Sequence, residues 1–142
     1  MRTVHQLLEG KGGNIFSIRP DAPVLEAVRT MAEREVGALL VMQGEQLVGI
    51  ISERDYARKV ILKGRSSAET RVSEVMSREL QTVDPERTVH GCMKVMTDHR
   101  IRHLPVLEQG RVVGVLSIGD LVKAVIEDQQ AEIAQLQAYI AG

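Results

Sequence analysis

Aromatic residues and cysteine are scarce in this 142-residue sequence, which has one phenylalanine, two tyrosines, no tryptophan and one cysteine. Proteins that bind single-stranded nucleic acid stack bases on aromatic side chains, so the composition argues against that class. The lone Cys92 cannot form an internal disulfide, and we expect it to pack on a helix face without redox chemistry. The formal net charge of −1 gives no general attraction to nucleic acid or to an anionic membrane.

Long apolar runs are missing as well. No stretch reaches the roughly 20 apolar residues of a membrane-spanning helix, and residues 1–8 lack the apolar centre of a signal peptide. We therefore expect a cytoplasmic globular protein without membrane or nucleic-acid partners. With 44% hydrophobic residues, the chain is apolar enough to bury a core.

The sequence does contain an internal repeat. The stretch from Ile18 to Ile61 aligns without gaps on the stretch from Val83 to Ile126, at a constant offset of 65 residues. Most identical positions are apolar, and packing explains them. Three further identical pairs spell the same pattern, G-x-x-S-x-x-D, in each copy: Gly49/Gly114, Ser52/Ser117 and Asp55/Asp120.

Each copy changes from helical to strand periodicity and back. The first copy predicts a helix over Val24–Arg34, strands Ala38–Met42 and Leu47–Ile51 around a turn at Gly44, and a helix from Ser52 to about Leu62. The second copy predicts the same order: helix Val89–Arg100, strands His103–Leu107 and Val112–Leu116 around a turn at Gly110, and a helix from Ser117.

Short apolar segments, Asn14–Ile18 and Leu80–Val83, precede these helices and predict a further strand in each copy. The fold class is therefore α+β, with two β-α-β-β-α units. One unit alone leaves an apolar sheet face uncovered, so we expect the two units to pack with pseudo-twofold symmetry. The predicted domains are residues 1–65 with a short N-terminal helix, a connection over 66–79 with a short helix near Val72–Met76, a second unit over 80–126, and a helical extension over 127–142.

The extension carries a heptad seam, because its apolar residues alternate at spacings of four and three. The tail either packs back on its own domain or contacts another chain, and we favour a homodimer to which the C-terminal helix contributes. The seam consists of Val122, Ile126, Gln129, Ile133, Leu136 and Ile140.

The repeated G-x-x-S-x-x-D pattern, together with the strand His103-Leu104-Pro105-Val106, resembles a tandem pair of cystathionine β-synthase (CBS) domains, also called a Bateman module. The resemblance covers about Val4 to Ile126. Within it, the chain is similar to stand-alone two-CBS signal-transduction proteins. It implies an adenosine-containing ligand in a cleft between the units: AMP, ATP or NAD, with S-adenosylmethionine as the alternative. It implies neither catalysis nor a metal.

The Ser-x-x-Asp pattern has two interpretations. Before a helix it is typical of a capping box, which satisfies backbone donors without a ligand. A carboxylate at this place can also accept hydrogen bonds from ribose hydroxyls, a role that the resemblance assigns to Asp55 and Asp120. Ser52, Ser117 and the amides at the helix start suit a phosphate, and the preceding glycine lets the backbone approach a ligand.

Candidate phosphate contacts differ between the copies, so we expect two unequal sites; solvated surface charge is the alternative for each residue. The first copy supplies Arg54, Arg58 and Lys59, and the second supplies Arg102 and His103, where the resemblance places phosphate contacts. The adenine contacts that the resemblance implies are Ser17, Ile18, Gly37, Ala38, Leu39, Thr82 and Val83. Pro105, in the strand that follows His103, completes the predicted ligand site.

We predict a regulatory module that senses adenine nucleotides and acts in trans on a partner protein. One rival is an interaction scaffold with vestigial clefts. Another is a nucleotide-processing enzyme, although the sequence has no G-x-S-x-G, P-loop or C-x-x-C motif. His99 and His103 are four residues apart, but a predicted helix-to-strand change separates them, so we set metal binding aside.

Overall fold

The computed structural model describes residues 2–11 and 15–141 and divides into two compact units of the predicted α+β class. One runs to Leu80 and holds the first copy of the repeat. The other combines the N-terminal helix α1 (Val4–Lys11) with the chain from Gln81 onward and holds the second copy. We call them the first-copy and second-copy units. Each has a hydrophobic core of its own.

The first-copy unit is built on a three-stranded sheet. Strand β1 (Ser17–Ile18) precedes helix α2 (Val24–Arg34), which leads to β2 (Ala38–Gln43) and β3 (Gln46–Ser52). The strand order is β1-β2-β3, with β1 parallel to β2 and β2 antiparallel to β3. The hairpin turns at Gly44, whose φ of 63° favours glycine. This order confirms the predicted elements, although β1 is shorter than predicted and Asn14 lies outside the described residues.

The helix predicted from Ser52 to Leu62 is not a continuous α-helix. It begins as α3 (Glu53–Tyr56) and continues as a π-helical segment over Ala57–Ile61. The Leu62 amide donates to the carbonyl of Ala57 at 3.0 Å, five residues back. The short helix predicted in the connection is present as α4 (Val72–Val75).

The second-copy unit repeats the helix-strand-strand-helix order with α5 (Val89–His99), β4 (His103–Glu108), β5 (Arg111–Ser117) and α6 (Ile118–Ala141). Strands β4 and β5 pair antiparallel. The strand predicted over Leu80–Val83 is reduced to a parallel bridge between Val83 and Val106. Cys92 is fully buried in this core, and burial raises the pKa of its thiol, which agrees with a packing role.

Helices α1 and α4 occupy equivalent places in the two units. The Val4 amide donates to the carbonyl of Arg87 at 2.8 Å, and the Val72 amide donates to the carbonyl of Ala22 at 2.9 Å. Arg87 and Ala22 are related by the offset of 65, and both valines are fully buried. The first copy therefore takes its short helix from the connection, whereas the N-terminal helix, which the sequence places with the first copy, packs in the second-copy unit.

One further property concerns membranes. Over residues 2–11 and 15–141, no helix combines the length and apolar character that crossing a bilayer requires.

Candidate functional site

The Ser-x-x-Asp motif of the first copy forms a capping box at the start of α3. The Asp55 amide donates to the Ser52 hydroxyl at 3.1 Å, and the Ser52 amide donates to Asp55 Oδ2 at 2.9 Å. The Ser52 hydroxyl also donates to Oδ2 at 3.0 Å. The capping interpretation is thus confirmed here, with aspartate in the place that glutamate or glutamine usually takes.

The second carboxylate oxygen of Asp55 is occupied as well. Oδ1 accepts from the Ser77 hydroxyl at 3.2 Å and lies 3.1 Å from Lys59 Nζ. Lys59 in turn donates to the carbonyl of Val75 at 2.9 Å. Asp55 is only 8% exposed. Both of its oxygens and the ammonium of Lys59, a predicted phosphate contact, are therefore used inside the first-copy unit.

Asp120 forms the same capping box at the start of α6, but its other neighbours differ from those of Asp55. The Ser117 amide donates to Asp120 Oδ2 at 2.8 Å, and the Asp120 amide donates to the Ser117 hydroxyl at 3.2 Å. Lys11 Nζ reaches Oδ2 at 2.7 Å and the carbonyl of Val115 at 2.7 Å. Within the described residues, Oδ1 accepts no hydrogen bond. The side chain is 26% exposed, against 10% for Asp55.

The pKa of Asp120 reflects two opposed effects. Burial raises the pKa of the carboxyl, but the hydrogen bonds and charge of Lys11 and the hydrogen bonds from Ser117 outweigh it, so the net pKa lies below its ordinary value. Asp120 is consequently a carboxylate at neutral pH, able to accept hydrogen bonds at its second oxygen.

The helix starts offer a phosphate fewer donors than the sequence suggests. The first helical amide of α3, on Glu53, donates to the carbonyl of Gly37 at 3.0 Å. In α6 the amide of Ile118 donates to the carbonyl of Arg102 at 2.8 Å. With the capping bonds at the third helical residue, two of the first three amides are satisfied within each unit.

The two repeated glycines are explained by packing inside each unit. A Cβ on Gly49 would lie 2.6 Å from Met76 Sδ and 3.1 Å from the carbonyl oxygen of Ser77. A Cβ on Gly114 would lie 2.6 Å from Leu8 Cδ2. The sequence links these glycines to the approach of a ligand, but the neighbouring short helices already need the space.

The predicted cations and adenine contacts are placed unevenly. Arg54, Arg58 and Arg102 are exposed, whereas His103 is half-buried and pairs with Ser117 across β4 and β5. The other predicted ligand contacts divide by burial: Ser17 and Thr82 are exposed, Gly37 and Ala38 are half-buried, and the side chains of Ile18, Leu39, Val83 and Pro105 are buried.

A residue with a buried side chain can reach a ligand mainly through its backbone amide and carbonyl. In Val83 both of these groups are already hydrogen-bonded within the unit. Its amide donates to the carbonyl of Pro105 at 3.1 Å, and its carbonyl accepts from the amide of Leu107 at 2.9 Å. Thr82 is therefore the better placed of the two neighbouring contacts in the second copy.

Sequence reasoning missed the two residues that distinguish the carboxylates, Lys11 and Ser77. Lys11 is the last residue of α1, and Ser77 follows α4. These two short helices are not aligned with each other by the offset of 65. A second offset of 68, which superposes Val4 on Val72, was the available signal. It is weak, because the aligned stretch is short.

Comparison with known families decides the classification. The pattern of the CBS domain matches residues 13–62 and 72–127. The chain belongs to the CBS domain family. The mitochondrial CBS domain-containing protein CBSX3 of Arabidopsis thaliana is 44% identical, over 99% of this chain and 72% of that protein.

Two solved CBS structures are informative. A protein with CBS domains from Burkholderia ambifaria is 48% identical, with a TM-score of 0.86 over 89% of this chain and 96% of that one. The CBS domain pair of protein MJ0100, solved with 5′-methylthioadenosine and S-adenosyl-L-methionine, has a TM-score of 0.80 at 21% identity, over 90% of this chain and 98% of that one. The second likeness shows a shared fold.

Proposed function

We propose that this CBS pair is a regulatory module that binds an adenosine-containing ligand at its Ser-x-x-Asp helix starts. A partner protein then reads whether the ligand is bound. The observation that carries the proposal is the state of Asp120, an ionised, partly exposed carboxylate whose Oδ1 accepts no bond within the described residues. A ribose presents hydroxyl donors, and a charged acceptor of this kind binds them more strongly than a neutral one.

The two copies are proposed to bind unequally, with the stronger site at Asp120. Asp55 must give up its contact with Ser77 or with Lys59 before it can accept a ribose hydroxyl, and it is nearly buried. Within the described residues, Oδ1 of Asp120 has no bond to exchange. If one of the two sites is vestigial, these contacts point to the first copy.

The cations near the second site favour a phosphorylated ligand. Lys11 is held beside Asp120, and Arg102, whose own carbonyl accepts from the first amide of α6, has an exposed side chain. AMP, ATP and NAD carry phosphate groups that pair with such charges, whereas S-adenosylmethionine does not. The MJ0100 complex supports the adenosine class, and the two cations support the phosphorylated members of that class for this chain.

Signalling requires that the ligand favour one arrangement of the module over another, since equal affinity for both shifts nothing. We propose that a homodimer makes this response and that the output passes in trans to an effector protein, without catalysis by the module itself. A cytoplasmic location stays a prediction.

Thermal unfolding with AMP, ADP, ATP, NAD, NADH and S-adenosylmethionine tests the proposal. A ligand at 100 times its Kd stabilises the native state by about 2.7 kcal/mol, so binding is visible as a raised Tm. We expect a shift with at least one phosphorylated nucleotide and a smaller one in Asp120→Asn. No shift with any ligand would favour the scaffold function, and appearance of hydrolysed ATP or NAD would favour an enzyme.

A further inference from the structure

The C-terminal helix α6 extends well beyond the core that anchors it. Leu121 and Ala124 are fully buried in the second-copy unit, but every described residue after Asp128 is exposed. An isolated helical segment of that length is marginally stable in water. The second half of α6 therefore lacks the tertiary packing that normally stabilises such a helix.

An apolar stripe follows one side of this helix. Its members are exposed by 41% to 83%, and from the first to the last it spans about 27 Å at 1.5 Å per residue. Val122 follows the buried Leu121 by one residue, which turns the stripe about 100° away from the face that packs on the core. The stripe consists of Val122, Ile126, Ile133, Leu136 and Ile140, interrupted by Gln129.

The charges on α6 oppose a lipid surface as the occupant of the stripe. Helices that lie in a membrane interface are rich in lysine and arginine on their polar face. Lys123 is the single basic residue between Ile118 and Ala141, while Glu127, Asp128 and Glu132 are acidic. Arg2 pairs with Glu127 and Asp128, and the polar side of α6 lacks the basic residues that would attract an anionic bilayer.

The spacing of the stripe instead matches a second helix with the same sequence. Alternate steps of four and three keep a seam facing one partner helix along its length. In heptad terms, the a positions are all isoleucine (Ile126, Ile133 and Ile140), and the d positions are Val122, Gln129 and Leu136. In parallel coiled coils, β-branched residues at a with leucine at d favour two helices over three or four, and Leu136 is the d position that fits this rule.

We propose that this stripe is a self-association surface, on which α6 of a second copy lies parallel and in register. In this arrangement Gln129 meets the partner's Gln129, and two amides can hydrogen-bond to each other. Glu132 then flanks the partner's Gln137. An antiparallel pairing of the same seam would set Gln129 against the partner's Ile133, with its amide unpaired, and Glu132 against the partner's Glu132.

This inference gives the proposed homodimer its interface and does not depend on nucleotide binding. Sedimentation velocity of the full chain tests the surface. We expect twice the chain mass for the wild type and a single chain mass for Ile133→Glu/Leu136→Glu. The matched control is Ala134→Glu/Ala138→Glu, which adds the same charge to exposed positions away from the stripe and keeps the wild-type mass.

Since the substituted side chains are exposed, the Ile133→Glu/Leu136→Glu variant is expected to retain its cooperative thermal transition and any nucleotide-induced shift. A wild type of single-chain mass overturns the inference. A doubled mass for Ile133→Glu/Leu136→Glu also overturns it, because the homodimer must then form through another surface. Loss of nucleotide binding alone would leave the inference standing.

Orientation is tested by cross-linking in a Cys92→Ala background. Gln129→Cys should form a covalent dimer on mild oxidation, because in-register parallel helices bring the two positions together. Ala134→Cys, on the outer side of the helix, should remain unlinked. Formation of the link only in a mixture of Gln129→Cys with Ile133→Cys would overturn the parallel arrangement.

Discussion

Lys11 and Asp120 are separated by 109 residues, yet Nζ of the first lies 2.7 Å from Oδ2 of the second. In the first copy the corresponding carboxylate, Asp55, takes its cation from Lys59, four residues along the same helical stretch. The repeat thus keeps the acid and supplies its counter-charge from different segments. In the second copy the cation comes from α1, which lies outside the repeated stretch.

This relationship predicts a role for Lys11 in ligand selection. Lys11→Met removes a positive charge beside Asp120, so we expect affinity for AMP and ATP to fall at least about fivefold, equivalent to about 1 kcal/mol. Affinity for adenosine, which lacks phosphate, should stay within about twofold. Isothermal titration calorimetry measures both. Lys11→Arg, which keeps the charge, serves as the control, and an equal loss for both ligands would contradict the assignment.

The two aspartates are predicted to separate stability from binding. Asp55→Asn disturbs a buried carboxylate that is bonded on both oxygens, so it should lower the free energy of unfolding by about 2 kcal/mol or more. Asp120→Asn should lower the free energy of unfolding by less, but it should weaken nucleotide binding by about 1 to 3 kcal/mol, since it removes a charged acceptor. Urea unfolding and calorimetry measure the two effects. A larger loss of affinity in Asp55→Asn would reverse the proposed ranking of the sites.

The lowered pKa of Asp120 predicts how stability depends on pH. Because the folded pKa lies below the unfolded value of about 3.9, the ionised side chain stabilises the fold above that pH, and the contribution is lost as the pH falls through the folded pKa. The difference in unfolding free energy between wild type and Asp120→Asn should therefore be constant above about pH 5 and shrink towards pH 3. A difference that grows on acidification would contradict the assigned direction.

Much of this fold follows from the sequence, and the exceptions have physical causes. The periodicity of Val24–Arg34 and Val89–His99 specifies both helices, because each buries an apolar face. The π-helical segment at Ala57–Ile61 leaves no mark in the apolar pattern, since it depends on a shift of backbone hydrogen bonds. The contact of Lys11 with Asp120 was equally hidden, because it depends on α1 packing with the distant second copy.

The glycines illustrate the same limit and yield a test. Alanine at Gly49 places its Cβ against Met76 and also 3.1 Å from the backbone oxygen of Ser77, whereas the three atoms nearest to a Cβ at Gly114 all belong to the side chain of Leu8. Overpacking of a core costs about 1 to 3 kcal/mol. We expect Gly49→Ala at the upper end of that range and Gly114→Ala at the lower end, as measured by urea unfolding. Equal costs would indicate that the Ser77 segment yields as readily as a side chain.

Arg102 provides the most direct test of phosphate recognition in the second copy. Its side chain is exposed while its carbonyl accepts from the Ile118 amide, so Arg102→Ala removes the guanidinium and leaves the backbone bond that starts α6 intact. We expect AMP and ATP to bind about five- to tenfold more weakly, or about 1 kcal/mol, with little change for adenosine and in Tm. Arg111→Ala, another exposed arginine in the same unit, is the control. If adenosine and ATP weaken equally, Arg102 does not contact phosphate.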